Sequence, residues 1–228
     1  MKTKLCKILI LGIVLLSITG CGKNKDVEKK EEPEKFTLND AIGTYKNVGL
    51  LMNEDVTYEL KDDNTFDQTA KIVSLSFKGT FSISEGGGIF LSKNKSSIKE
   101  TFVKHGEYFF ETAGGITYFS TDEEYGKNLT LDDNGKTSQS FTVFHHDVNR
   151  DSTGSALYYT LNIIFSKDGT FKLNKYYRTR GTFVSNLEHF EGTYSVSDDI
   201  MTLSYDGKEH ILLIIEDKLY FDVIQKVK

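Results

Sequence analysis

Tryptophan is absent, proline occurs once, and the only two cysteines, Cys6 and Cys21, both stand before residue 22. Past Cys21 there is no thiol. That excludes a disulfide framework, a thiolate metal site and a cysteine nucleophile from everything downstream. Arginine is nearly missing too, confined to Arg150, Arg178 and Arg180. The formal net charge is −5, with no basic cluster to attract phosphates, which excludes a nucleic-acid binder. The named catalytic strings are lacking: neither G-x-S-x-G nor H-E-x-x-H occurs. No stretch past Lys35 carries a helical period, and no apolar run reaches the ~20 residues of a spanning helix.

What the chain does have begins at its first residues. Lys2, Lys4 and Lys7 form a basic start, and Ile8 to Ile18 is apolar except for Gly12 and Ser17. That length and those flanks suit a signal-peptide core. At its end stands Leu16-Ser17-Ile18-Thr19-Gly20-Cys21. This string resembles the lipobox of bacterial lipoproteins. The resemblance implies diacylglycerol on the Cys21 thiol, cleavage before it, and palmitate among the attached chains. It also implies an extracytoplasmic protein lipid-anchored to the cell membrane. Arginine and tryptophan scarcity, taken with the lipobox, points to a Gram-positive source. Loss of the three leader lysines changes 28 basic against 33 acidic residues to 25 against 33, a net −8. Anionic headgroups would repel such a chain, so the lipid must hold it.

Residues 22–35, GKNKDVEKKEEPEK, hold five lysines, five acids and the one proline, Pro33. Such a segment has no apolar surface to bury and reads as a disordered spacer. Extended, it reaches roughly 45 Å at ~3.3 Å per residue.

From Phe36 the hydrophobic period is two. Leu157, Tyr159, Leu161, Ile163 and Phe165 share one face of a strand, and Ser166-Lys167-Asp168-Gly169-Thr170 turns the chain back. Leu60-Lys61-Asp62-Asp63-Asn64-Thr65-Phe66 is the same device, with Asn64 in place of Gly169. Gly79-Thr80-Phe81-Ser82-Ile83-Ser84 likewise parallels Gly192-Thr193-Tyr194-Ser195-Val196-Ser197. This is an internal repeat at about 110 residues, too long for a solenoid. The D-G-T-F turn, the following G-T-Y and the opening Gly43-Thr44-Tyr45 resemble lipocalin-like and other small β-barrel domains of bacterial surface lipoproteins. The fold class expected is therefore all-β: antiparallel meanders, as two small lipocalin-like β-barrels after a signal peptide and disordered tether. Residues 1–20 would be the signal peptide and 21–35 the lipidated cysteine with its linker. Residues 36–121 would form the first barrel and 122–228 the second; one larger combined barrel is the alternative.

Candidate chemistry is sparse. Asp147, Asn149 and Asp151 have the D-x-N-x-D spacing with which a loop gathers oxygen ligands around calcium. Ser152 stands at the turn-glycine position and Tyr158 where a bidentate glutamate belongs, so a polar hairpin loop competes. His145 and His146 are adjacent and would face opposite ways on a strand, leaving one to join Asp147, His189 or His210 around a metal. Gly135-Lys136-Thr137 imitates the end of a phosphate loop but lies beside a hairpin turn, Asp133-Asn134-Gly135. Tyr176, Tyr177, Arg178 and Arg180 form an aromatic-basic ribbon able to stack on sugars or meet an anionic polymer. No cofactor other than calcium and no catalytic residue is expected. The expectation is a tethered binding or interaction module, not an enzyme. Its partners would be the membrane, through the lipid, and a small molecule or envelope protein. A structural or envelope-stress accessory protein is the alternative, and an extracytoplasmic hydrolase a more distant one.

Overall fold

The backbone reverses at Asn64 with φ 61° and at Gly169 with φ 87°, the left-handed region that asparagine and glycine tolerate best. The same bonds surround each reversal. Asp63 Oδ1 accepts the Thr65 N–H at 2.9 Å, and Asp168 Oδ1 accepts the Thr170 N–H at 2.9 Å. The Asn64 carbonyl accepts the Phe81 N–H at 2.9 Å, and the Gly169 carbonyl accepts the Tyr194 N–H at 2.8 Å. The repeat in the sequence is therefore a repeat of hydrogen bonds. Its glycines are explained in the same way. Gly79 lies opposite Phe66, and Gly192 lies opposite Phe171. A Cβ on Gly79 would collide with the Ser92 carbonyl oxygen, and one on Gly192 with that of Ser204.

The structure, a computed structural model, describes residues 35–50, 56–70, 75–94, 99–113, 126–150, 156–179 and 187–228. Lys35–Lys228 forms one unit. A single helical turn, α1 (Leu38–Ala41), comes first. Thr37 N–H donates to the Asp40 carboxylate at 2.7 Å and closes this turn locally, so no helical period announces it. The first strands are β1 (Gly43–Asn47), β2 (Val56–Leu60), β3 (Thr65–Ala70), β4 (Leu75–Ile83), β5 (Gly88–Lys93), β6 (Lys99–His105) and β7 (Tyr108–Ala113). The short β8 (Lys127–Asn128) precedes β9 (Ser140–Arg150), β10 (Ala156–Phe165), β11 (Thr170–Thr179) and β12 (Leu187–Ser197). Last come β13 (Ile200–Tyr205), β14 (Lys208–Ile215), β15 (Lys218–Tyr220) and β16 (Val223–Lys226). No helix among the described residues is long and apolar enough to cross a membrane.

Two eight-stranded antiparallel sheets result, as the repeat predicts, rather than one combined barrel. The first is closed, in the order β1-β16-β7-β6-β5-β4-β3-β2. The second, barrel-like, runs β8-β15-β14-β13-β12-β11-β10-β9. Gln139 links its first and last strands through side-chain bonds. Its Oε1 accepts the Thr130 N–H at 2.6 Å, and its Nε2 donates to the Asn128 carbonyl at 3.2 Å. Several expected boundaries shift. Alternation also predicts strands over 128–131 and 138–146; the first holds only the two-residue β8, and the second falls in β9, which runs to Arg150. Two more stretches that the same alternation predicts as strands, 117–120 and 181–186, lie outside the described residues.

The division expected at 121/122 gives the whole C-terminal segment to the second barrel. The pairing differs: β16 lies between β1 and β7 and closes the first barrel. The cause is visible in the side chains of residues 219–224. Leu219 and Phe221 fill the second core with Leu161, Leu173 and Leu203, while Ile224 fills the first with Tyr45, Phe66 and Phe102. Val223 joins Phe110 and Leu213 in a third cluster where the two sheets meet. One extended segment thus serves two cores. The chain makes a second crossing at Leu50, which enters the second core just after β1. The Val48 carbonyl there accepts the Ile211 N–H at 2.8 Å. The His105 ring Nε2 and the Asp199 carboxylate also meet between the sheets.

Candidate functional site

The two ends of the first barrel differ in chemistry. At the end holding α1, Phe36, Ala41, Tyr45, Leu60, Phe66, Phe81, Ile89 and Phe109 pack together, and Tyr45 donates its hydroxyl proton to the Ala41 carbonyl at 2.7 Å. At the opposite strand ends the inward positions turn polar. Tyr58 of β2 lies directly across from Gln68 of β3. Lys93 ends β5, Glu100 is near the start of β6, Glu111 is on β7, and Asp222 immediately precedes β16. Lys93, Glu100, Glu111 and Asp222 are all buried, at 8%, 8%, 6% and 6% exposure. Four charged side chains so deep inside a barrel demand partners, because an unpaired buried charge costs several kcal/mol.

Much of that demand is met. Lys93 and Glu100 form an ion pair, and the Lys93 ammonium lies 5.0 Å from the centre of the Phe77 ring. Tyr58 donates its hydroxyl proton to Glu100 at 3.4 Å and accepts from Gln68 Nε2 at 3.0 Å. The Glu111 N–H donates to the Asp222 carbonyl at 3.0 Å, and the two carboxyl groups are hydrogen-bonded to each other. Two acceptors are left over. Gln68 Oε1 and Asp222 Oδ1 are buried with no hydrogen-bond partner among the described residues.

This crowding resets the acidities. Burial pushes the Glu111 carboxyl well above its ordinary range, and the Asp222 and Glu100 charges push it further. Burial, then the Glu100 charge, raises Asp222 to about 7. The two carboxyls also share a hydrogen bond, so their titrations belong to the pair. Burial and the charges of Glu100, Glu111 and Asp222 likewise hold the Tyr58 hydroxyl protonated far into alkali. The two carboxyls form a coupled pair that holds on to a proton above the ordinary carboxylate range.

None of these residues was singled out in the sequence, though a signal was there. Phe109 and Glu111 alternate on one strand, as do Leu91 and Lys93, and Glu100 and Phe102. A charged residue at an inward position among apolar neighbours marks a buried site. The residues that were singled out lie elsewhere. Cys21 and Asp151 are outside the described residues, as is Arg180. Asp147 and Asn149 are described in backbone only, within β9, where the chain is extended up to Arg150. His145 and His146 are on the same strand, also in backbone only. His189 faces Asn174 on the exposed side of the second sheet. His210 is buried, stacked on Tyr205 with ring centres 4.9 Å apart, its Nδ1 3.0 Å from the Gly49 carbonyl. Among the described residues no three His, Cys, Asp or Glu side chains are grouped to hold a metal ion. The Asp133-Asn134-Gly135 turn is as expected: Asp132 Oδ1 accepts the N–H groups of Asn134 and Lys136 at 3.0 and 2.9 Å, and Gly135 has φ 69°. Lys136 then covers the Tyr194 ring at 4.9 Å. Tyr176 is exposed on β11. Comparison with family models, with curated proteins and with solved structures finds no match.

Proposed function

We propose that this protein is a lipid-anchored extracytoplasmic binding module whose ligand enters the polar end of the first barrel. The observation that carries the reading is the pair of buried, unpartnered acceptors, Gln68 Oε1 and Asp222 Oδ1, inside a closed barrel. A fold that only needed a core would place apolar groups there, since an isostere without the polar atom avoids the desolvation cost. The anchor rests on the basic start, the short apolar run and Thr19-Gly20-Cys21. The charged spacer then sets the barrels off the membrane.

Metabolic labelling with a fatty acid tests the anchor: label should enter the wild type and be lost in Cys21→Ser. Equal label in both would remove lipidation from the account. A ligand screen read by melting temperature tests the binding role against the structural alternative, which predicts no shift. Calcium at Asp147, Asn149 and Asp151 is a separate proposal. Calorimetry with calcium should show heat that is absent in the Asp147→Ala, Asp151→Ala double variant.

A second reading is favoured by the same acid pair. One protonated and one ionised carboxyl side by side is the arrangement acid–base hydrolysis uses. Turnover of a glycan or ester, lost in Asp222→Asn, would replace the binding reading with this one.

A further inference from the structure

The orphaned atoms at the polar end are of one kind. Gln68 Oε1 and Asp222 Oδ1 are both acceptors, one on β3 and one just before β16, three strands apart around the closed barrel. One amide proton on Gln68 Nε2 is directed to the Tyr58 hydroxyl, and the Glu111 and Asp222 carboxyls share a hydrogen bond. A ligand completing this site therefore brings donors. The charges agree. Lys93 and Glu100 cancel as an ion pair, which leaves the Glu111–Asp222 pair with one negative charge once it holds a single proton. A positive donor gains from that charge, and an anion would be repelled by it, since the neighbouring Lys93 is paired with Glu100.

We propose, building on the binding reading above, that the first barrel recognises its ligand through a primary ammonium group held by Asp222 and Gln68. The group has three N–H donors for two orphaned acceptors and the second carboxyl. A cation beside both carboxyls favours their charged forms, so the proton shared by Glu111 and Asp222 leaves to the buffer as the ammonium enters. Glu100 of β6, Lys93 of β5 and Tyr58 of β2 belong to the same buried cluster; Lys93 stays with Glu100, and Tyr58 remains protonated. Specificity against quaternary amines follows, because these present no N–H and would leave both acceptors unsatisfied.

The test titrates the protein with ethylammonium chloride and, in parallel, tetramethylammonium chloride, following backbone amide resonances. Ethylammonium should give saturable shifts at Gln68, Glu111 and Asp222 in the millimolar range, and tetramethylammonium should not. Calorimetry at about pH 7 in phosphate and in Tris should give heats that differ, reporting release of up to about one proton. Asp222→Asn should weaken ethylammonium at least about tenfold, the scale of one lost charged hydrogen bond. Gln68→Leu, which keeps the acid pair, serves as the second variant should Asp222→Asn fold poorly. Equal shifts from both cations, no shift from ethylammonium, or unchanged affinity in the variants would overturn the ammonium assignment. A neutral or anionic fragment that shifts the same three amides while ethylammonium does not would also overturn it, yet leave the binding reading standing. Silence from every fragment would sink both.

Discussion

The Glu111 N–H donates to the Asp222 carbonyl, and the carboxyl groups of the same two residues bond to each other. The backbone ladder that closes the first barrel thus also sets two acids against one another. They are 111 positions apart in the chain, and only the return of the C-terminal segment to the first sheet unites them.

This pair makes stability depend on pH in an unusual direction. Both carboxyls hold protons more tightly when folded than at the ordinary values of 4.5 and 3.8 to which unfolding returns them. Between about pH 4 and about pH 7 the folded chain therefore binds more protons than the unfolded one, and stability falls as pH rises through that window. Urea midpoints should decline from pH 5 to pH 8 in the wild type. The Glu111→Gln, Asp222→Asn double variant should be much flatter. A wild-type midpoint that rises over this range would show that the pair is not buried together.

The Lys93–Glu100 ion pair predicts a different pattern. Both side chains are about nine-tenths buried, so removing either leaves a charge without a partner. Lys93→Met alone should cost ~3–5 kcal/mol, and Glu100→Gln about as much. The Lys93→Met, Glu100→Gln double variant should cost less than the sum of the two, because no orphan charge remains. Chemical denaturation of the four proteins measures this coupling. Simple additivity would mean that the two groups do not interact.

Alternation made most of the fold legible. Leu161, Ile163 and Phe165 face one way, and Asp168-Gly169 turns the chain, because a strand's side chains and a hairpin's φ are local matters. The count of two sheets was legible as well, since the turn at Asn64 repeats the one at Gly169. The position of β16 was not. Residues 218–225 read as one strand, and nothing local says that Leu219 and Ile224 belong to different cores. The site was lost for the same reason. Glu111 and Asp222 look like ordinary strand-end acids until the crossover brings them together, whereas the polar run at 145–154 is conspicuous in the sequence alone.

The paired turns allow a reciprocal exchange. Asn64 at φ 61° and Gly169 at φ 87° occupy equivalent positions, so each should accept the other's residue. Asn64→Gly should be neutral or slightly stabilising, since glycine has no Cβ to strain. Gly169→Asn should cost under about 1 kcal/mol; a Cβ there meets the flexible end of Lys136, which can move aside. Gly169→Val should cost clearly more, because a β-branched residue resists this φ. Thermal melts of the three variants check the order. An Asn64→Gly variant that melts well below wild type would break the equivalence of the two turns.

The sharpest consequence of the topology concerns the last strand. Stopping the chain after Asp222 removes Val223 and Ile224, 0% and 2% exposed, and with them the ladder that joins β1 to β7. It also removes the Val223 carbonyl, which accepts the N–H groups of Val48 and Gly49, both at 2.9 Å. Burial of the two side chains alone is worth ~1.5–3 kcal/mol each. The loss falls on one sheet. β1 and β7 become open edges, while Leu219 and Phe221 stay in the second core. Hydrogen exchange of the truncated protein should therefore be fast at Tyr45 and Phe109 and remain slow at Leu161 and Leu173. A synthetic peptide of residues 221–228 should restore protection at β1 and β7 by adding the missing strand, as an extended peptide does at any open sheet edge. Equal loss of protection in both sheets would mean that the barrels fold as one cooperative body. Unchanged protection at Tyr45 and Phe109 would mean that β16 does not close the first barrel.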